Sequence, residues 1–256
     1  MLYANLHKDA LVPGRLPKLD DDHWRARVVG GWKYRPTFLT LMDAQVGLPA
    51  FDDPQASRKS IDKFGQPGHR QNYANDQYVC PEVSDWTDER NGAYGYNYQF
   101  LGNARLRDEN KPTSFKNWPV QSSQVRTPAA CVAVADGMGT AASFPRIQRG
   151  PYEDNQFGDS KTGRSLHALG NEGFNLDPPR VDPLHGEMAG MDGEHQARTA
   201  PHERHGGRGA VLWIDGHATL ETLKSLRYRV SEEGVVEFDG DNRFFSIDRT
   251  DRAWTE

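Results

Sequence analysis

Two apolar runs joined by an Asp-Gly turn constrain the fold of this chain more than any other feature. The stretch ERHGGRGAVLWIDGHATLE spans residues 203–221, and Asp215-Gly216 lies between its apolar runs. Glycine tolerates a positive φ and aspartate can bond its own backbone, so this pair favours a type I′ hairpin turn. The glycines expected to form the turns, or to let the incoming segment lie close to another backbone, are Gly206, Gly207, Gly209 and Gly216.

The same stretch has a second interpretation, as a metal site. His205, Asp215 and His217 would converge at one end of the sheet and ligate a divalent ion. Two histidines with one carboxylate suit zinc or iron better than calcium, which prefers oxygen. Turn chemistry accounts for the Asp-Gly pair without a metal, and a plain bond between His205 and Asp215 is a third interpretation.

Other segments predict a sheet with little helix. The run at 129–137 is short, apolar and bounded by Pro128 and Gly137, which indicates a buried strand. Residues 37–44 predict a short helix between Pro36 and Gly47. Aromatic residues recur with period two, which favours one strand with four rings on one face: Tyr94, Tyr96, Tyr98 and Phe100. Successive short strands are expected in a C-terminal antiparallel meander at 209–215, 218–223, 226–230, 234–238 and 243–247.

Composition excludes some functions and leaves others open. The chain has 256 residues, 36% hydrophobic and 26% charged, with 25 glycines and 16 prolines, which indicates one loop-rich domain. Its net charge of -5 argues against nucleic-acid binding, and no apolar run is long enough to span a bilayer. Residues 139–202 show no periodicity and predict a long loop insertion. The two cysteines, Cys80 and Cys131, allow one disulfide or two free buried thiols.

Motifs of common enzyme classes are missing from the sequence. The run HERH at 202–205 is not the H-E-x-x-H of zinc proteases, because its second histidine comes one position early. No G-x-S-x-G elbow, P-loop or G-x-G-x-x-G occurs. Near the C-terminus the carboxylates Asp239 and Asp241 belong to an acidic cluster without the spacing of an EF-hand. We therefore expect a protein that is not an enzyme.

Six motifs in the same order resemble one protein family. His205, nine residues and Asp215-Gly216 match the H-x9-DG signature of the prepilin-type processing-associated H-x9-DG proteins, which are similar to pilins and pseudopilins. Matching segments cover nearly the whole chain: YANLHKDALVPG near the start, the Cys-Pro step at residue 80, YGYNYQFLG, the strand ending in Asp136-Gly137, and FFSIDRTDRAW. Family members usually begin with a prepilin leader and a long apolar helix, whereas this sequence begins where that helix would end.

The resemblance implies a fold, a location and a role. The expected fold is α+β, a single sheet-dominated pilin-like head over 1–256 with a variable loop insertion at 139–202. The implied role is a structural subunit of an extracellular or cell-surface filament or tube, self-associating through head contacts. Pseudopilins bind calcium in a C-terminal loop, so a structural divalent metal is expected by analogy. The candidate ligands for a metal are His205, Asp215, His217, Asp136, Asp239 and Asp241.

Two other classes of function stay open. A metal-dependent enzyme would use His205, Asp215 and His217 with an open coordination position. A monomeric solute- or glycan-binding module would line a concave pocket with the tyrosines of 94–98. The hypothesis of a structural subunit predicts self-association and no turnover. These two properties distinguish it from the enzyme and from the binding module.

Overall fold

The computed structural model describes residues 2–14, 25–34, 36–55, 71–108, 111–117, 120–157, 163–180 and 197–251. Its α-helices are α1 (Leu2–Leu6), α2 (Phe38–Val46), α3 (Tyr98–Leu101) and α4 (Gly163–His167). Its strands are β1 (Arg25–Val28), β2 (Gly31–Tyr34), β3 (Tyr94–Tyr96), β4 (Asn103–Asp108), β5 (Lys111–Asn117), β6 (Val132–Gly139), β7 (Ala200–Pro201), β8 (Gly209–Trp213) and β9 (Ala218–Glu221). Every helix in these ranges is too short to cross a lipid bilayer.

β6 is the centre of the main sheet. The strands follow the order β3-β6-β8-β9, with β7 also paired to β6, and every pair is antiparallel. Two separate hairpins, β1–β2 and β4–β5, complete the strand inventory of the described residues. The expected buried strand at 129–137 is confirmed by β6, although residues 128–130 form a 3₁₀ turn before it. A mixed, sheet-rich fold with antiparallel strands is therefore present.

Different side chains cover the two faces of this sheet. In β8, Val211 and Trp213 are buried in one cluster, while Leu212 between them is exposed. Residues directly opposite one another share a face, so Leu212 lies on the face that carries Tyr96 and Val134. Tyr96 and Val134 are covered by a second cluster. This second face is thus covered at β3 and β6 and open at Leu212.

Helix α2 forms where the sequence predicts it and covers the second face. It begins after Pro36-Thr37 and ends at Gly47, whose φ of 70° and N–H bond to the Asp43 carbonyl close the last turn. Phe38 is fully buried and stacks on Tyr96 with ring centroids 5.0 Å apart. Burying a phenylalanine of this kind contributes about 2–3 kcal/mol. Packing, rather than helix propensity, holds this nine-residue helix.

The prediction of one strand carrying four aromatic rings is wrong beyond Tyr96. β3 ends at Tyr96, and α3 begins at Tyr98. Asn97 lies between them and donates from its side-chain amide to the carbonyls of Val132 and Phe245, both at 2.9 Å. These two bonds pull the chain out of the extended conformation, so the four rings do not share one face. Phe100 belongs to the first cluster, whereas Tyr96 and Tyr98 belong to the second.

The C-terminal meander is present but loses regularity along the chain. Its first two strands are β8 and β9. The next two expected strands shrink to a single bridge between Val230 and Val236, and the expected strand at 243–247 is a turn. The loop at 214–216 also differs from the expected type I′ turn. Gly216 has φ +97° and donates to the Trp213 carbonyl, while Asp215 keeps a negative φ. A type I turn followed by a left-handed glycine fits this three-residue loop.

Much of the expected loop insertion at 139–202 is part of the core. Its described parts, 139–157, 163–180 and 197–202, include α4, β7 and several 3₁₀ turns. Leu166, Leu176 and Ala200 are completely or almost completely buried. Residues 158–162 and 181–196 of the insertion lie outside the described residues. The described parts therefore pack into the core and do not form only a surface loop.

Candidate functional site

Three side chains from distant segments of the chain meet beside β6. Cys80 immediately precedes a 3₁₀ turn, Asp136 lies within β6, and His205 follows β7. The His205 Nε2 atom is 3.0 Å from the Asp136 Oδ2 atom and 3.8 Å from the Cys80 sulfur. All three potential ligand atoms lie within 4.8 Å of one another. Among the described residues, this is the one group of three such side chains with this geometry.

A tight turn places His205. His205 and Arg208 exchange two backbone hydrogen bonds, of 2.8 and 3.2 Å. Gly206 and Gly207 between them have φ of +60° and +83°, as a type I′ turn requires. A Cβ at Gly209 would lie 2.7 Å from the His202 carbonyl oxygen, so only glycine allows this close approach. The glycine-rich motif thus forms a hairpin that holds the imidazole against β6.

Asp136 is the buried anion of the site. Its Oδ2 atom accepts a 2.6 Å bond from the Ala210 backbone N–H as well as the contact with His205. Its Oδ1 atom is buried and accepts no hydrogen bond from the described residues, and the Arg204 Nε atom lies 3.8 Å away. Burial raises the pKa of Asp136, against the opposing effects of Arg204, the Ala210 N–H and His205.

Arg204 supplies a cation that is itself fixed on several sides. One of its terminal nitrogens donates to the carbonyls of Ala93, at 3.0 Å, and Gly137, at 2.7 Å. Its guanidinium lies 5.0 Å from the centre of the Trp86 ring, and its Nε and Nη1 atoms are buried with no hydrogen-bond partner among the described residues. Burial lowers the pKa of Arg204, although nearby Asp136 favours the charged form. Arg204 therefore joins the hairpin to the start of β3 and to β6.

Aromatic rings close one side of the site. Trp86 stacks between Tyr152 and His202, with ring centroids 5.3 and 5.9 Å away. Burial lowers the pKa of His202 to about 3, with help from Arg204, Arg149 and His205, so its ring is neutral at physiological pH. Tyr94 contacts Cys80, and burial raises the pKa of its phenol to about 12. The site is thus lined by neutral rings around one carboxylate and one guanidinium.

The arrangement does not match a thiol–imidazole relay. In such a relay the base uses one ring nitrogen for the nucleophile and the other for the carboxylate that orients it. Here Asp136 and Cys80 both face the Nε2 atom of His205, and Asp136 is the nearer at 3.0 Å. An imidazole N–H donated to a carboxylate cannot accept the thiol proton. The geometry suits cross-linking of three segments, or coordination of a cation among them.

The other residues of the H-x9-DG motif lie elsewhere. Asp215 and His217 bond each other at 2.6 Å in the exposed turn between β8 and β9. His205 precedes β8 and Asp215 follows it, and a five-residue strand separates its two ends by about 16 Å. The expected convergence of His205 with Asp215 and His217 is therefore not found. Hydrogen bonds from His217 lower the pKa of Asp215.

The acidic C-terminal residues pair with arginines instead of converging. Asp239 lies 2.8 Å from an Arg229 nitrogen, and Asp241 lies 3.3 Å from an Arg243 nitrogen. Neither belongs to a group of metal-ligating side chains in the described part of the chain. These contacts do not reproduce an oxygen-lined calcium site.

The two cysteines are free and lie in different clusters. Cys80 packs with Trp86 and Ala93, whereas Cys131 lies in the second core cluster. Burial raises the pKa of Cys131 to about 12, so this thiol stays protonated. The disulfide that the sequence left open is not formed. Of the two sulfurs, only Cys80 contacts polar partners that could share a ligand.

Comparisons with protein-family models, with curated proteins and with solved structures found no match for this chain. The resemblance to the H-x9-DG proteins therefore rests on the six sequence motifs. Sequence reasoning singled out His205 and Asp136 but missed their association with Cys80. The available signal was that Cys80, Asp136 and His205 each belong to a different one of those motifs, which made them candidates for one site.

Proposed function

We propose that this protein is a structural subunit of an extracellular or cell-surface assembly, with a pilin-like head that binds further copies of itself. The observation that carries the proposal is an apolar surface on the β8–β9 hairpin. Leu212 is 41% exposed and Leu220 is 50% exposed. Ala210 pairs with Leu220 and Leu212 pairs with Ala218, so the four side chains share one face. We call these four residues the hairpin face.

The position of the hairpin face favours a second copy as its occupant. β9 is the last strand in the order of the main sheet, and edge strands associate with other chains unless they are protected. Edge strands usually carry charges to prevent this. In β9 the one charged residue, Glu221, accepts a hydrogen bond from the Ser225 hydroxyl, and Leu220 beside it is exposed. An apolar face next to a sheet edge suits a packed interface between copies.

A second exposed apolar side chain lies in a different element. Ile147 is 94% exposed in the 3₁₀ turn Arg146–Gln148, within the segment 139–202. Two different surfaces that meet head to tail produce an open helical filament when the rotation does not close. The hairpin face and the Ile147 turn are our two contact surfaces for such a filament.

The buried site supports a structural rather than a catalytic role. Cys80, Asp136 and His205 connect the segment before β3, the central strand and the hairpin that precedes β8. A head that carries load between neighbours benefits from such cross-links because they resist local opening. The extracellular location follows from the resemblance to the H-x9-DG proteins.

The test is the state of association of the full chain. Sedimentation velocity over a range of concentrations, with negative-stain electron microscopy of the same samples, is expected to show large particles and regular filaments or tubes. Leu220→Glu places a charge on the hairpin face and is expected to abolish them. Val46→Glu is the matched control, because Val46 is 52% exposed on α2 and lies on neither surface. A monodisperse wild-type monomer at high concentration would contradict the proposal.

A further inference from the structure

The distances in the buried site resemble those around a tetrahedral metal ion. Zinc binds sulfur at about 2.3 Å and imidazole nitrogen at about 2.0–2.1 Å, so neighbouring ligands lie about 3.3–3.6 Å apart. The observed separations are 3.8 Å from the Cys80 sulfur to His205 Nε2 and 3.0 Å from that nitrogen to Asp136 Oδ2. Displacements of a few tenths of an ångström would bring these two separations to the distances around a coordinated ion, and the Cys80 and Asp136 ligand atoms lie within 4.8 Å of each other.

A second observation concerns the other oxygen of the same carboxylate. The Oδ1 atom of Asp136 is buried and has no hydrogen-bond partner among the described residues. A buried carboxylate oxygen without a partner costs free energy, and buried charges are usually paired or bound to metals. The nearest cationic atom, Arg204 Nε at 3.8 Å, is beyond hydrogen-bonding distance. A metal ion bound to this carboxylate would give Oδ1 the direct partner that Arg204, at 3.8 Å, does not provide.

From the ligand set and the orphaned oxygen, we infer that Cys80, Asp136 and His205 bind a thiol-preferring divalent ion, with zinc as the best fit. One soft sulfur, one imidazole and one carboxylate suit zinc, whereas calcium and magnesium prefer oxygen ligands throughout. Arg204 adds a positive charge nearby and so disfavours ions that are held by charge alone. Three protein ligands leave a fourth position for water, and the His205 side chain is 25% exposed.

Such an ion would cross-link segments that are far apart in the sequence. Cys80 lies in the segment before β3, Asp136 in the central strand and His205 in the hairpin before β8. The ligands are held before the metal binds: Asp136 by the Ala210 N–H at 2.6 Å, and His205 by the turn that ends at Arg208. Metal binding would therefore stabilise the fold with little rearrangement. Metal binding at this site does not require the proposed assembly.

The test uses cobalt as a spectroscopic probe and zinc as the ligand. The full chain, dialysed against a chelator, is titrated with Co²⁺ in reducing buffer and then with Zn²⁺. One equivalent of cobalt is expected to give the near-ultraviolet charge-transfer band of a thiolate ligand and the visible bands of tetrahedral cobalt. Zinc is expected to abolish both at one equivalent. Calorimetry is expected to give a single site of micromolar affinity or tighter.

Two variants identify the ligands, and one serves as a control. Cys80→Ser is expected to remove the charge-transfer band, and both Cys80→Ser and His205→Gln are expected to weaken zinc binding about 100-fold or more. His217→Gln removes an exposed histidine of the same motif and is expected to change neither. Circular dichroism of the metal-free proteins shows which variants fold. The inference is overturned if wild-type protein gives no charge-transfer band, or if folded Cys80→Ser binds zinc as tightly as wild type.

Discussion

The Nε2 atom of His205 lies 3.0 Å from the Oδ2 atom of Asp136, and this pair joins the hairpin before β8 to the central strand of the main sheet. The motif that contains His205 ends in a second pair, Asp215 and His217, bonded at 2.6 Å. The first carboxylate is buried and the second is exposed. The two pairs have similar chemistry and different surroundings. Variants of the two pairs therefore distinguish the effect of burial on stability from the effect of the bond itself.

Replacing Asp136 is expected to destabilise the protein far more than replacing Asp215. Asp136→Asn leaves Arg204 and His205 without their buried anion, and breaking a buried pair in this way costs about 3–5 kcal/mol. Asp215→Asn is the matched control and is expected to change stability little, because water screens an exposed pair. Urea unfolding at pH 7 in the presence of a chelator, followed by circular dichroism, measures the stability of both variants. Equal midpoints for the two variants would show that the Asp136 pair does not brace the sheet.

Two glycines with similar φ are expected to respond differently to alanine. Gly139 has φ +72° and ψ -160°, a region open almost only to glycine, and a Cβ there would lie 2.6 Å from the Asn171 nitrogen. Gly206 has φ +60°, and a Cβ there would meet no atom within 4 Å. Gly206→Ala is expected to cost about 1–2 kcal/mol, and Gly139→Ala about 3 kcal/mol or more, because steric overlap adds to the backbone strain.

Thermal unfolding of the two glycine variants checks this difference. Their side-chain change is identical, so the unfolded states are affected equally and the difference reports on the folded state. If Gly139→Ala melts at the temperature of Gly206→Ala, then the segment around Asn171 does not press against the end of β6 as closely as the structure indicates.

Local patterns predicted the elements that local chemistry controls. The turn and cap signals around 37–47 located α2, and the apolar run at 129–137 located β6. The aromatic alternation failed after Tyr96 because Asn97 bonds to two carbonyls from remote segments. Such bonds depend on the tertiary fold and cannot be inferred from the two-residue spacing of the aromatic side chains.

The candidate site was predicted only in part for the same reason. His205 and Asp215 are linked by a spacing of nine residues, and that spacing suggested one site. Most of the intervening residues form β8, so His205 and Asp215 lie at opposite ends of that strand. Cys80 comes to His205 from 125 positions away, through the folding of β3 beside β6. No spacing rule within a single segment reports on such a contact.

A buried contact between Glu89 and Lys33, away from this site, is expected to set part of the pH dependence of stability. Glu89 and Lys33 are both almost fully buried, with 2.7 Å between Lys33 Nζ and a Glu89 carboxylate oxygen. Burial raises the pKa of Glu89 to about 7 from 4.5, with a further rise due to Asp88, although Lys33 and Arg90 oppose it. Between these two values the folded protein holds a proton that the unfolded chain has lost.

The stabilising effect of that proton is complete below pH 4.5 and is lost as the pH rises towards 7. The slope is about 1.4 kcal/mol per pH unit at most. Glu89→Gln removes the titration, so the stability of wild type is expected to fall relative to this variant over that range. Glu232→Gln, at an exposed position, is the control, and its stability is expected to change with pH as that of wild type does. Urea unfolding at several pH values gives the curves, and parallel curves for Glu89→Gln would contradict the assignment.

The two proposed contact surfaces lead to a mixing experiment. Leu220→Glu blocks the hairpin face and leaves Ile147 intact, whereas Ile147→Glu does the reverse. If these surfaces meet each other head to tail, each variant alone is expected to stay monomeric because every contact needs both surfaces. An equimolar mixture is expected to form a species of twice the monomer mass and nothing larger. In that species the one intact contact joins the Ile147 turn of the first variant to the hairpin face of the second.

The mixture distinguishes the possible symmetries of association. If the hairpin face binds another hairpin face, Ile147→Glu alone dimerises and Leu220→Glu alone does not, so the contact is isologous and cannot propagate. If neither variant nor the mixture differs from wild-type particles, both surfaces lie outside the contacts. Val46→Glu mixed with wild type should elongate as wild type does, which controls for the added charge. Mass photometry of dilute mixtures and sedimentation velocity of concentrated ones resolve monomer, dimer and polymer, so one set of samples decides among these arrangements.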